Sequence, residues 1–165
     1  MQTPYGSNRL VWGLINFTVG IDGIEISEDQ EWLYLAPMTN ARLCRIPMAV
    51  VLDPLLSPEA FNQHVEAIGP KPMSDGIAID REGRVVITDV EHGGIMAFDT
   101  ATNRLSKLGR SKDIAWPDGI VVAKDGDVYF TDSAIPSYID QLVRPPTDAK
   151  LIQHRPYYIY RLRRN

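Results

Sequence analysis

The sequence predicts an all-β fold of the β-propeller class. Three observations predict it: a repeat, the strand chemistry inside each repeat, and the density of turn residues. Residues 22–36, 75–89 and 118–132 align without a gap. Each unit opens on Asp-Gly-Ile, at Asp22, Asp75 and Asp118, then runs through an apolar stretch, a charged turn and a second apolar stretch. The units start 53 and 43 residues apart, and a period of about 40–50 residues with several short strands per unit is that of propeller blades. Glycine and proline number 12 each in 165 residues, too many for a helical bundle and too few for a disordered tract.

The elements follow in order. Residues 8–19 read as outer strands of a preceding blade whose start is missing. In the second unit Ile77 and Ile79 flank Ala78, and 85–88 is a β-branched run suited to a pleated surface. Between them Gly83, like Gly126 in the third unit, supplies the positive φ of a tight hairpin. Third strands are expected at 43–46, 95–98 and 157–162, and a fourth at 105–108. From Leu55 to Gly69 the apolar period changes from two to 3.6. Ser57 is an N-cap with Pro58 at the first helical position. Phe61, Val65 and Ile68 share one face, and Gly69-Pro70 ends the helix. This insertion accounts for the longer first spacing.

The chain reads as one domain, 1–165, holding about three four-stranded blades. Propellers close with about 4–8 blades, so the expectation is a partial ring, completed by a missing N-terminal half or by a second copy. A net charge of −4 disfavours nucleic acid as a partner. No apolar run reaches the ~18 residues of a membrane span, and no signal peptide is visible at the start. The lone Cys44 reads as a small buried hydrophobe, His64 as a solvated or packing residue, and 161–165 as a solvated basic tail. Asn16-Phe17-Thr18 matches a glycosylation sequon.

Hairpin geometry locates a candidate site. The start of a hairpin's first strand and the end of its second lie at one edge. Asp22, Asp75 and Asp118 therefore share a face of the disc with Ala36, Asp89 and Asp132. Innermost strands line the channel, so the three Asp-Gly aspartates converge at its mouth, with Glu91 and His92 on the same rim and Ser74 beside it. Carboxylates without basic partners repel one another unless a cation intervenes. Ca²⁺ or another divalent cation on Asp75 and Asp118 would suit, as would an organic amine near Trp116 or Tyr138. The plain alternative is that Asp-Gly is a turn dipeptide. Pro117 biases Trp116 to an extended backbone, making its ring a pocket wall or a wedge between blades. No Ser/His/Asp triad or phosphate loop is visible.

These motifs resemble the major royal jelly protein/Yellow family in a bacterial-type version. The matching stretches begin with Gly23-Ile24-Glu25-Ile26-Ser27, the run 32–37, and Ser74-Asp75-Gly76-Ile77-Ala78. The run 88–95, Trp116-Pro117-Asp118-Gly119, Tyr129-Phe130-Thr131-Asp132 and the run 155–161 complete them. The resemblance covers about residue 20 to the end. It implies a six-bladed propeller of roughly twice this length, extracellular or periplasmic, binding small ligands such as amines. More broadly, the chain is similar to gluconolactonase/senescence marker protein propellers. There a channel metal is held by a Glu, two Asn-type ligands and an Asp, the Asp in a context like Pro117-Asp118-Gly119, with Asp75 in an analogous position. This sequence has Asp-Gly where Asn-Gly would stand, and the Glu-bearing blade is absent. Three functions follow: a small-ligand or ion binder at an acidic mouth, a metal-dependent lactonase-type hydrolase, and a structural or interaction half-propeller.

Overall fold

The computed structural model describes residues 19–135 and 158–164 in full. Before residue 19 it describes the backbone of four short strands: β1 (Gln2–Thr3), β2 (Gly6–Ser7), β3 (Leu10–Val11) and β4 (Ile15–Asn16). β1 pairs with β2 and β3 with β4, both antiparallel.

Three meandering antiparallel sheets follow. The first is β5 (Ile21–Ile26), β6 (Trp32–Pro37), β7 (Arg42–Pro47) and β8 (Glu66–Pro70). The second is β9 (Ile77–Ile79), β10 (Val85–Asp89), β11 (Gly94–Asp99) and β12 (Arg104–Arg110). The third is β13 (Pro117–Val122), β14 (Val128–Asp132) and β15 (Ile159–Leu162). Each is a propeller blade, with the Asp-Gly strand at one edge. The expected third strands fall at β7, β11 and β15, and the expected fourth strand at β12.

The blades stack face to face. Val85 and Ile87 of β10 point into a core with Tyr34, Ala36 and Leu43 of the first sheet. Val86, between them in sequence, points the other way, against Val128 and Phe130 of the third. Hence all of β10 is buried: a strand covered on both faces needs apolar residues at every position rather than alternate ones.

The turn chemistry is as the sequence requires. Gly83 and Gly126 take φ of 73° and 91°. At the same place in the first unit stands Gln30, with φ 61°, a left-handed backbone that costs a residue with a Cβ. Asp80 organises the second hairpin by accepting the N–H groups of Glu82 and Arg84 at 3.0 and 2.9 Å.

Two expectations need correction. The insertion holds a helix, but a shorter one than 3.6-periodicity suggested. α2 (Pro58–Gln63) starts as expected, the Ala60 N–H donating to Ser57 Oγ at 3.2 Å. It stops at an exposed His64, and residues 66–70 become the outer strand β8 against β7. Strand pairing outweighs the helical pattern here because β7 would otherwise be a bare edge. Gly69 is a packing position, not a helix stop: a Cβ there would stand 2.2 Å from the Phe98 ring. One unpredicted helical turn, α1 (Met48–Val51), follows β7.

Nor is the basic C-terminus a solvated tail. Arg161 lies in β15 and pairs with Asp127. Arg164 reaches Glu82, and its N–H donates to Asp127 at 2.9 Å. These contacts tie β15 to the hairpin turns of the second and third blades. Cys44 is half-buried in β7, and burial raises its thiol pKa. No helix among the described residues is long and apolar enough to cross a membrane.

Candidate functional site

The aspartates owe their placement to a bulge and a glycine. In β5 the register slips between Ile21 and Gly23, leaving Asp22 as the extra residue, and in β13 it slips between Pro117 and Ile120, around Asp118. A bulge re-aims the side chain at that point. In the second blade the Thr88 hydroxyl accepts the N–H groups of Asp75 and Gly76 at 3.0 and 3.1 Å. Asp-Gly is therefore not a turn here; it is the irregular first step of each inner strand.

The glycine allows neighbouring inner strands to touch. A Cβ on Gly23 would lie 3.1 Å from the Asp75 carbonyl oxygen, and one on Gly76 only 2.4 Å from that of Asp118. This close approach brings Asp22, Asp75 and Asp118 together. The Asp22 carboxylate is within hydrogen-bonding reach of Asp75, and Asp118 acts on it through space. Burial raises the Asp75 pKa to about 6. The Trp116 hydrogen bond opposes that rise, and the charges of Asp118 and Asp22 add to it.

Trp116 is 6% exposed and packs on Met38 and Val90, from the loops that leave β6 and β10. Its ring is thus a wedge between blades, and its Nε1–H donates to Asp75 Oδ2 at 2.6 Å. Asp132 holds it there. Its oxygens accept the N–H groups of Ala115 and Trp116, both at 2.8 Å, and of Ala134 at 3.0 Å. With both oxygens engaged by backbone, Asp132 positions the rim.

The other candidates are held by partners of their own. Asp89 is buried and takes His92 Nδ1 on both oxygens at 2.9 Å, which closes the β10–β11 connection. Ser74 is fully buried and accepts from Lys71 Nζ at 2.9 Å. Lys71, also fully buried, donates to the carbonyls of Met38 and Pro72 at 3.3 and 2.9 Å. Burial lowers its pKa to about 7, opposed by Cys44 and Glu91, which places Glu91 near this ammonium. Sequence reasoning missed Lys71 and Thr88. Prolines on both sides of Lys71 were the available sign of a fixed backbone, and a threonine opposite an Asp-Gly step was the sign for Thr88. Tyr138 and residues 155–157 lie outside the described residues.

The described residues do not fit a metal ion held by this chain alone. Among them no group of three or more His, Cys, Asp or Glu side chains is arranged to hold one, and Asp75 is turned to the indole N–H. The rim can instead handle a proton: Asp75 changes charge near neutrality, beside two further carboxylates and a fixed donor. Two clefts, of about 240 and 260 Å³, open at the opposite, hairpin-turn end, around Asp80 and Arg84 and around Ile79 and Lys124, and another, of about 190 Å³, lies between the second and third blades beside Ile95, Ile114 and Phe130.

No protein-family model matches the chain, and no curated protein matches it. Solved structures do. A gluconolactonase from Xanthomonas campestris is similar at 21% identity and TM-score 0.60, over 88% of this chain and 44% of that one. Regucalcin from Agrobacterium tumefaciens, a calcium-binding protein, is similar at 18% identity and TM-score 0.51, over 68% and 37%. A streptogramin B lyase is similar at 14% identity and TM-score 0.52, over 70% and 35%. The chain thus spans less than half the length of these structures. They support the resemblance to gluconolactonase-type propellers at the level of the fold; the resemblance to the royal jelly/Yellow family is not shown.

Proposed function

We propose that the aspartate rim is the small-molecule site of a lactone-hydrolysing propeller, of which this chain supplies one half of a six-bladed ring. One observation carries the reading: Asp75, with its pKa raised to about 6, is held by the Trp116 indole at 2.6 Å among two other inner-strand aspartates. No Lys or Arg among the described residues pairs with any of the three. The likeness to a gluconolactonase, at the level of the fold, supports the choice of substrate class.

In this reading ionised Asp75 is the general base. It takes a proton from water as the oxygen adds to the lactone carbonyl. The ring C–O bond then breaks, and the departing alkoxide recovers the proton from Asp75. Trp116 holds the carboxylate in place, and Asp132 holds Trp116. The rate should rise with pH through about 6, as Asp75 ionises. Asp75→Asn should lower the protein-dependent rate by about 100-fold or more. Acid release from a sugar lactone, followed with a pH indicator, measures both. Undiminished turnover in Asp75→Asn would refute the assignment. The unpaired carboxylates also support a second reading, capture of a small amine without turnover. Heat on calorimetric titration of a quaternary ammonium ion, with no acid released from any lactone, would favour that reading.

A further inference from the structure

We infer that Lys71 is the positioning residue of the rim: its buried ammonium ties the loop that carries Met38 to the segment that carries Ser74 and Asp75, and so sets where Asp75 and Trp116 meet. The catalytic consequence rests on the lactonase reading; the positioning is measured separately.

Lys71 is fully buried, and among the described residues no other Lys or Arg is buried. Its Nζ donates to the Met38 carbonyl at 3.3 Å, the Pro72 carbonyl at 2.9 Å and Ser74 Oγ at 2.9 Å. An ammonium has three hydrogens, so each has an acceptor. Pro72 and Ser74 belong to the segment entering β9. Met38, 33 positions before Lys71, belongs to the loop leaving β6. Backbone bonds run alongside: the Lys71 N–H donates to the Ala41 carbonyl at 2.9 Å, and the Ser74 N–H to the Met38 carbonyl at 3.3 Å.

Both tied segments lead to the site. Ser74 precedes Asp75, whose own N–H is fixed on Thr88 Oγ1 at 3.0 Å. Met38 packs on the Trp116 ring, whose Nε1–H holds Asp75 Oδ2 at 2.6 Å. A slip of the Met38 loop against residues 72–75 therefore moves the indole and the carboxylate relative to each other.

A buried ammonium is a costly tie. Burial lowers its pKa to about 7, opposed by Cys44 and Glu91, and a methionine of similar length would avoid the desolvation. Methionine cannot supply three directed donors to two carbonyls and a hydroxyl. The backbone here is short of donors as well, because Pro70 and Pro72 on either side carry no N–H. The lysine side chain fills that role, and fills it between two blades. A misplacement of about 1 Å at a reacting group can cost about 100-fold in rate, so a tie of this kind governs turnover without touching substrate.

Nuclear magnetic resonance of the full, ¹⁵N-labelled chain at one fixed pH tests this without reference to turnover. The Trp116 indole N–H resonance is assigned by its loss in Trp116→Phe. Lys71→Met should move it upfield, away from the position of a short hydrogen bond, and leave the Trp32 indole in place. Ser74→Ala removes one of the three acceptors and should move it less, in the same direction; it decides the matter if Lys71→Met loses its circular dichroism. Val85→Ala opens a cavity in the core of the first two blades, at the hairpin-turn end of β10. It should destabilise the protein and leave the Trp116 resonance unmoved. In lactone hydrolysis Lys71→Met should lower kcat by about 10-fold or more while KM stays within about twofold. A Trp116 resonance unmoved in both rim variants, or moved equally by Val85→Ala, would overturn the proposal. So would an unchanged kcat in a variant whose indole has moved. A wild type that turns over no lactone, with the indole shifts as expected, would overturn the lactonase reading and establish the tie.

Discussion

Replacing Gly76 by Ala puts one methyl group where the second and third blades meet. The added Cβ would stand 2.4 Å from the Asp118 carbonyl oxygen and 3.1 Å from Ile120 Cγ2, whereas real Cβ contacts essentially never fall under 3.0 Å. The nearer obstacle is backbone at the edge of a paired sheet, so no rotamer change relieves it. β13 must retreat by about 0.6 Å to regain a 3.0 Å contact. Overpacking of this kind costs about 2–3 kcal/mol. Alanine's smaller loss of backbone freedom on folding returns about 0.5–1 kcal/mol. The net loss of about 1–2.5 kcal/mol should lower Tm by about 2–10 °C for a chain of this length. Urea denaturation measures it as a lower midpoint at unchanged slope. Gly20→Ala, with nothing within 4 Å of its Cβ position, is the matched control and should stay within about 0.5 kcal/mol of wild type. A Gly76→Ala protein as stable as that control would refute the claim that these glycines exist to let the inner strands touch.

Asp75→Asn should stabilise the protein at neutral pH while removing the proposed base. The Asp75 pKa is raised from 3.8 to about 6 on folding. As pH rises between those values the unfolded chain ionises first, so the wild type loses stability there, and the full cost is present above about 6. For a half-buried group, solvent screening reduces that cost to about 1–2 kcal/mol. The gain in urea midpoint should therefore be present at pH 7 and vanish below the ordinary value of 3.8. Gln30→Gly should raise stability by about 0.5–1 kcal/mol, because Gln30 takes φ 61° at the position where the later repeats carry glycine. A thermal melt higher than wild type checks it.

The legibility of the chain varied with the distance over which its contacts act. The hairpins of the second and third units were readable because a β-branched run, a Gly at the turn and a second run are local features. The bulged Asp-Gly steps were located but read in part as turns, since the dipeptide has the same local preference in both settings. The sequence reads as helix across β8 because Phe61, Val65 and Ile68 do have helical spacing; the partner that overrides it, β7, lies about 20 residues away. Lys71 was invisible as a buried residue, because its three acceptors come from Met38, Pro72 and Ser74, and only the docking of two blades brings the first to the other two.

By itself, then, the sequence determined the strand–turn–strand repeat, its period and the propeller class, all consequences of alternation, glycine φ and spacing along one stretch of chain. The tertiary structure alone decided what the repeated residues do. It placed Gly76 against the Asp118 carbonyl, joined Trp116 to Asp75 across 41 positions, and drew Asp132 into holding the tryptophan. The reason is physical: a carboxylate's charge and hydrogen bonds depend on what the blades bring within a few ångströms of it, and that distance is set by packing between repeats.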